Sequence, residues 1–234
     1  MNATQRNHSL LKEPWRLFRI MGEFVEGFEE LSDVTNGVAI FGSSKIAPTE
    51  RYYRLAEEIA RTLVRAGYAV ITGAGPGIME AANKGATMAK GESIGLNIDI
   101  PIQQAPNRYV KRLINFRFFF TRRVMFVKYS KAFIVMPGGF GTFDELFELV
   151  TLIQTRKIDA IPVILVGRDF WQGLLTWLQE EVWERRRFLE PQDMARFTVC
   201  ETPREVVQTI ERFYGRRRAR PPRRRREAGR GARK

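Results

Sequence analysis

The segment Pro137-Gly138-Gly139-Phe140-Gly141-Thr142-Phe143-Asp144-Glu145 brings three glycines, a hydroxyl and two carboxylates into one short stretch. Glycines leave backbone amides bare, and bare amides at the start of a helix make a cradle for an anion. The carboxylates that follow could stabilise a positive charge, or take a proton, beside whatever the loop holds. The chemistry suggested is that of a phosphate-bearing substrate that is acted on, not only bound. A second reading stays open. Thr142-x-x-Glu145 has the spacing of a capping box, in which Thr and Glu satisfy orphan amides at a helix start. A phosphate beside Asp144 and Glu145 also needs cations. Arg122 and Arg123, in the helical segment before, can supply them with a planar grip and a permanent charge. The alternative for that pair is a solvated helix face.

Such residues have to be positioned by strands and helices, and the chain alternates between the two. Ala132-Phe-Ile-Val-Met136 reads as a buried strand entering the glycine segment, and Leu146, Phe147, Leu149, Val150 and Ile153 follow at helical spacing. Upstream, Val38-Ala-Ile-Phe41, Tyr68-Ala-Val-Ile71 and Ser93-Ile-Gly-Leu-Asn-Ile98 read as strands, separated by helices over residues 50–65 and 77–90. A looser stretch with Pro101 and Pro106 leads to a helix over residues 116–129. Downstream come a strand at 162–166, a helix from Trp171, a strand at 198–200 and a terminal helix from Pro203 to Tyr214. Strands separated by helices predict a parallel sheet covered on both faces. The fold class is a Rossmann-like, doubly wound α/β sheet, with ligands at the carboxyl ends of its strands. Three glycine-bearing loops then share one edge: Gly42-Ser43-Ser44, Thr72-Gly73-Ala74-Gly75-Pro76-Gly77, and the segment from Pro137.

The boundaries expected are a leader over residues 1–13, a packing helix and linker over 14–36, the nucleotide-binding domain over 37–214, and a disordered tail over 215–234. Trp15, Phe18, Met21, Val25 and Phe28 give the packing helix its spacing. The tail from Arg216 onward has ten arginines, one lysine and one glutamate, and so carries ten of the thirteen net positive charges. It suits a polyanion such as nucleic acid, or simply solvent. No apolar run is long enough for a membrane span. Met1 to His8 lacks a signal core. The lone Cys200 agrees with a reducing cytoplasm. With His8 the only histidine, a Ser-His-Asp triad or a His-rich zinc site within the domain is excluded, and no metal site is expected.

Rival nucleotide motifs fit poorly. Gly73, Gly75 and Gly77 give G-x-G-x-G on the second strand, whereas a dinucleotide fingerprint needs G-x-G-x-x-G on the first. No G-x-x-x-x-G-K-[ST] triphosphate loop occurs. A mononucleotide suits the loops better. Residues 116–145, with Pro-Gly-Gly-x-Gly-Thr-x-x-Glu matched from Pro137 to Glu145, resemble the LONELY GUY family. Its members are cytokinin-activating nucleoside 5′-monophosphate phosphoribohydrolases, many long mislabelled as lysine decarboxylases.

That resemblance implies hydrolysis of the N-glycosidic bond of an adenosine 5′-monophosphate, N6-modified or not, with no cofactor. It implies Glu145 and Arg122 as catalytic residues. Gly138, Gly139, Gly141 and Thr142 would hold the 5′-phosphate, and Gly42 and Ser43 would line the nucleotide cleft. Gly73, Gly75 and Gly77 would form a second phosphate-side loop, and Arg123 would assist binding. A homodimer or larger homo-oligomer is implied too. The chain departs from the family at Phe119, often Met, at Arg123, often Lys, and at Ala74, where many relatives have glycine. An amino-acid decarboxylase would need a Schiff-base lysine, and only Lys45 falls near the loops. The alternative of another class is a mononucleotide-binding regulator or carrier in which Glu145 only caps its helix.

Overall fold

Alternate residues of each inner strand face opposite ways, and both ways lead into a core. Val38 and Ile40 join one apolar cluster, while Ala39 and Phe41 join another. In the computed structural model, which describes residues 13–100 and 105–218, β1 (Gly37–Phe41) is therefore buried along its whole length. The other strands are β2 (Ala69–Thr72), β3 (Ser93–Ile98), β4 (Arg112–Phe116), β5 (Ser130–Val135), β6 (Val163–Val166) and β7 (Phe197–Cys200). They form one parallel sheet in the order β4-β3-β2-β1-β5-β6-β7. The expected doubly wound α/β fold is what the chain adopts.

Helices α1 (Glu13–Glu30), α2 (Arg51–Arg65), α3 (Ile78–Met88), α4 (Phe119–Tyr129), α5 (Phe140–Gln154), α6 (Arg168–Trp177), α7 (Pro191–Met194) and α8 (Pro203–Arg218) complete the order, α6 running on as a π-helical segment, Leu178–Arg185. One face of the sheet takes α2, α3 and α8 through Tyr53, Ile59, Leu63, Ile78 and Ile210. The other takes α1, α4, α5 and α6 through Phe24, Met125, Phe126, Leu146, Leu149 and Trp171. Among the described residues, no helix is long and apolar enough to cross a membrane.

The strand order reverses between β1 and β5. The chain winds outward from β1 to β4, then returns to the other side of β1 to lay down β5. Where the order reverses, the loops leaving adjacent strands diverge and open a crevice. The β1–β5 register slips between Gly37↔Ser130 and Val38↔Ala132, then runs regularly to Phe41↔Val135. The two strands consequently end level, and the Met136 amide donates to the Phe41 carbonyl at 2.8 Å.

Three expectations need correction. The stretch before α4 is not loose throughout: Arg112–Phe116 is an edge strand, and the helix begins at Phe119 rather than 116. At an edge one face meets water, so Leu113 is exposed while Ile114 and Phe116 are buried, and the following phenylalanines blur that alternation into a helical pattern. Arg112 anchors this strand to Asp33 at 2.6 and 3.0 Å. At the other end α8 continues to Arg218, past the expected boundary at Tyr214. Arginine is a good helix former, and the first proline comes only at 221. The short helix Pro191–Met194 was not expected at all; a capping box between Glu190 and Asp193 starts it. The leader up to residue 12 and the arginine-rich tail beyond 218 lie outside the described residues.

A buried polar network fixes the loop after β2. Thr72 Oγ1 donates to Asn83 Oδ1 at 2.6 Å, and Asn83 Nδ2 donates to Ser93 Oγ at 2.9 Å. Asn107 Nδ2 lies 3.0 Å from Asn83 Oδ1 and from the Ala74 and Gly75 carbonyls. We expect Asn83→Ala to strand these partners and cost about 2–3 kcal/mol, read as a lower urea midpoint at unchanged slope.

Candidate active site

Three loops meet at the carboxyl ends of β1, β2 and β5, and each is tied to the next through backbone. The Ser43 amide donates to the Pro137 carbonyl at 2.9 Å, joining the first loop to the third. The Ile78 amide donates to the Ser43 carbonyl at 3.0 Å, joining the second to the first. Gly77 permits that closeness: its φ is 67°, and a Cβ there would overlap the Ser43 carbonyl oxygen. Ala74 also lies in the left-handed region, at φ 64°, and is buried. The alanine costs roughly 1–2 kcal/mol relative to an unstrained backbone. The hydrogen bonds from Asn107 to the Ala74 and Gly75 carbonyls hold it in place.

The third loop enters α5 earlier than its spacing suggests. Gly139 is the N-cap and Phe140 the first helical residue, with the Thr142 and Phe143 amides donating to the Gly139 carbonyl at 2.9 and 3.0 Å. Asp144 and Glu145 therefore fall in the second turn, and the capping box does not form, since no side chain caps this helix. Thr142 instead packs on Gly138, where a Cβ would overlap its Oγ1. The Phe140 and Gly141 amides, ahead of those of Thr142 and Phe143, make no such bond and lie at the positive end of the helix, beside the crevice.

Glu145 turns to Arg122. Arg122 Nη2 donates to Glu145 Oε1 at 3.1 Å, and the two side chains are only 11% and 10% exposed. The guanidinium lies over the rings of Phe119 and Phe126, at 5.4 and 5.7 Å from their centroids. Arg122 Nε is buried without a hydrogen-bond partner, so this cation has donor capacity left for a ligand. Burial pushes the Glu145 carboxyl above the ordinary glutamate range; Arg122 and Arg123 oppose the shift, while Glu148 and Asp144 add to it. Burial likewise pushes Arg122 down, against the attraction of Glu145. A guanidinium stays charged through such a shift. What results is a desolvated carboxylate with a fixed counter-charge.

Around this pair is a cleft of about 430 Å³, within the range of small-ligand pockets. Of the residues expected at the site, Gly42, Ser43, Gly73, Arg122, Gly139, Gly141, Thr142 and Glu145 line it. Gly75, Gly77 and Gly138 do not, and instead shape the loops from behind. Arg123 is a clearer departure. One residue along the helix, about 100° around its axis, it points away from the cleft and pairs with the Asp144 carboxylate and, through Nε at 3.1 Å, with Glu148. Sequence reasoning missed Met79, Phe126 and Phe140 as lining residues. Met79 and Phe126 are apolar residues of α3 and α4, and only the loop geometry brings them to a wall. Phe140, 95% exposed at the rim, carried a usable signal: an aromatic ring set among glycines has nothing to pack on. Asn107 was likewise not foreseen.

Comparison with known proteins gives the family and the fold. The family model described as "possible lysine decarboxylase" matches residues 79–210. Among curated proteins, the chain is 33% identical over 93 residues to a cytokinin riboside 5′-monophosphate phosphoribohydrolase of Arabidopsis thaliana, covering 39% of this chain and 42% of that protein. It is 30% identical over 147 residues to the pyrimidine/purine nucleotide 5′-monophosphate nucleosidase of Escherichia coli, covering 58% of this chain and 32% of that one. The chain thus spans less than half the length of either. A second Arabidopsis phosphoribohydrolase is 26% identical, over 75% of this chain and 77% of its own length. Among solved structures, the molybdenum cofactor binding protein of Rippkaea orientalis superposes with a TM-score of 0.59 at 20% identity, over 77% of this chain and 98% of that one. The molybdenum cofactor carrier protein of Chlamydomonas reinhardtii gives 0.57 at 20% identity, over 77% and 99%. Those two likenesses speak to the fold alone.

Removing the counter-charge isolates what it does to Glu145. In Arg122→Met we expect the Glu145 carboxyl to titrate about 1 unit or more above its wild-type midpoint, followed by ¹³C NMR with Glu145→Gln assigning the resonance.

Proposed function

The chain belongs to the family described as possible lysine decarboxylases, the LONELY GUY family of the sequence resemblance, and from that membership we propose that it hydrolyses nucleoside 5′-monophosphates. The observation that carries the reading is the buried Arg122–Glu145 pair, facing a glycine-lined cleft where the strand order reverses. The 5′-phosphate lies on the Phe140 and Gly141 amides at the start of α5, beside Thr142, which leaves C1′ of the ribose toward Glu145. As the bond from C1′ to the base nitrogen breaks, its electron pair leaves with the base and positive charge spreads over C1′ and the ring oxygen. The Glu145 carboxylate stabilises that charge and takes a proton from the attacking water, whose oxygen bonds to C1′. A proton delivered to the base nitrogen completes free base and ribose 5-phosphate. Arg122 orients Glu145 and keeps it ionised, and the spare donors of its guanidinium serve the ribose or phosphate.

The names of the curated relatives support adenine or an N6-substituted adenine as the base. Decarboxylation has less support from the side chains. Lys45, the only lysine on the cleft wall among the described residues, is exposed, whereas a Schiff-base lysine works from a desolvated position. We also propose that residues 37–214 form the catalytic unit, with residues 14–36 packed on it, and that it works in the cytoplasm as a homodimer. Exposed Phe119 and Val124 on α4 and Phe140 and Phe147 on α5 support self-association. The arginine-rich tail suits a salt-sensitive polyanion contact.

The test is chromatography of AMP and N6-isopentenyl-AMP incubated with wild type and Glu145→Gln. Expected are free base and ribose 5-phosphate from wild type, at least about 10²-fold less from the variant, and poor reaction of the corresponding nucleosides. Since the carboxylate form is required, the rate should fall as pH drops through a Glu145 midpoint above the usual value of about 4.3. Nucleotide binding without turnover by wild type would overturn the hydrolase and leave a binding protein.

A further inference from the structure

Helix α1 takes no part in the proposed reaction, yet one of its carboxylates reaches the element that carries Arg122. Glu23 Oε1 accepts the Arg117 amide at 2.8 Å, and Oε2 accepts the Phe118 amide at 3.4 Å and the Thr121 hydroxyl at 2.6 Å. Phe118 is the N-cap position of α4, and phenylalanine has no group to cap with. Glu23 therefore ties the two residues that enter α4, and the hydroxyl of its third helical residue, to a different helix. Arg122 follows Thr121 directly, and its own amide closes that turn on the Phe118 carbonyl at 3.3 Å. A helix end that nothing ties down frays, and here a frayed turn would carry the guanidinium with it.

The rest of α1 is placed to hold Glu23 steady. Gly27 is buried against Met125 of α4. Lys128 of α4 lies 5.2 Å from the centroid of the Phe28 ring, and Arg112 donates to the Glu30 carbonyl at 2.9 Å. The two helices are thus joined near both ends of their contact.

We propose that Glu23 is a positioning residue, which from α1 fixes the first turn of α4 and so sets how Arg122 is presented to Glu145. Its meaning for catalysis rests on the hydrolase reading; its geometry does not. The groups whose charges act on Glu145 are Arg122, Arg123, Asp144 and Glu148. The sign of the effect separates the possibilities. Deleting the Glu23 charge alone would ease ionisation of Glu145 and lower its midpoint, whereas loosening Arg122 would raise it.

The experiment is the ¹³C NMR titration of Glu145 in the full chain, for wild type, Glu23→Ala, Glu23→Gln and Glu29→Ala. Glu23→Ala should raise the midpoint by about 0.5 unit or more, with faster exchange of the Arg117 and Phe118 amides. Glu23→Gln keeps an acceptor for one amide and should raise it less. Glu29→Ala removes a charge from the same helix and should not raise it. An unchanged or lower midpoint in Glu23→Ala, beside a lower melting temperature, would make Glu23 a packing residue and overturn the proposal. If that variant does not fold, Glu23→Gln decides by the same sign. In AMP turnover, Glu23→Ala should lower kcat about tenfold with KM within about twofold. Absence of turnover by wild type would count against the hydrolase and leave the titration to judge Glu23.

Discussion

A carboxylate and a guanidinium, each about nine-tenths withdrawn from water, face one another at 3.1 Å beyond the ends of β1 and β5. Withdrawing each charge from water costs roughly several kcal/mol, and the attraction between them only about offsets that. The pair is therefore a poor source of stability, and a fold that keeps it must hold both partners from outside. Helix α4 holds the cation, with Phe119 and Phe126 beneath it. Helix α5 holds the anion, with Leu146 and Leu149 seated in the sheet's core. Neither helix can shift without parting the charges.

The sheet order supplies the frame for this arrangement. β5 could have extended the sheet beyond β4, but it returns to pair with β1. Only this return places the Gly42 loop beside the Pro137 loop and lets the Ser43 amide reach the Pro137 carbonyl. The register slip at Gly37 brings both strands to a common end. The loops then interlock through amides and carbonyls, so the cleft's shape depends little on side-chain rotamers. Gly77 and Gly138 belong to that scaffold although they do not line the cleft.

Most of the strands were legible because a parallel strand covered on both faces is a continuous apolar run, as in Val38 to Phe41 and Val163 to Val166. The edge strand Arg112–Phe116 was not, because one of its faces meets water and its apolar residues merge with those of α4. At the site, the glycine spacing marked a strand-to-helix loop, and the strand before it gave that loop's place on the sheet's edge. The capping-box alternative was a matter of register: Thr142 and Glu145 have the right spacing, but α5 starts three residues too early for Thr142 to be its cap. Adjacent arginines could not be told apart in sequence, since successive helical residues project about 100° apart. Contacts between distant segments, such as Asn107 with Ala74, leave no local pattern to read.

On the proposed reading, the different fates of those two arginines bear on how an anion would enter a site that contains three acidic groups on one helix. Asp144, Glu145 and Glu148 all lie on α5, and an approaching phosphate would meet their combined repulsion. Arg123, outside the cleft, binds Asp144 and Glu148, while Arg122, inside it, binds Glu145. Two cations against three carboxylates leave one negative charge, carried by the exposed pair around Arg123, where solvent screens it. The buried part of the site is left neutral, and the α5 amide dipoles give it a positive end. Loss of charge at Arg123 would therefore be felt at the cleft as an electrostatic change without the loss of any ligand contact. Arginine at that position is better understood as the keeper of this balance than as a hand on the substrate.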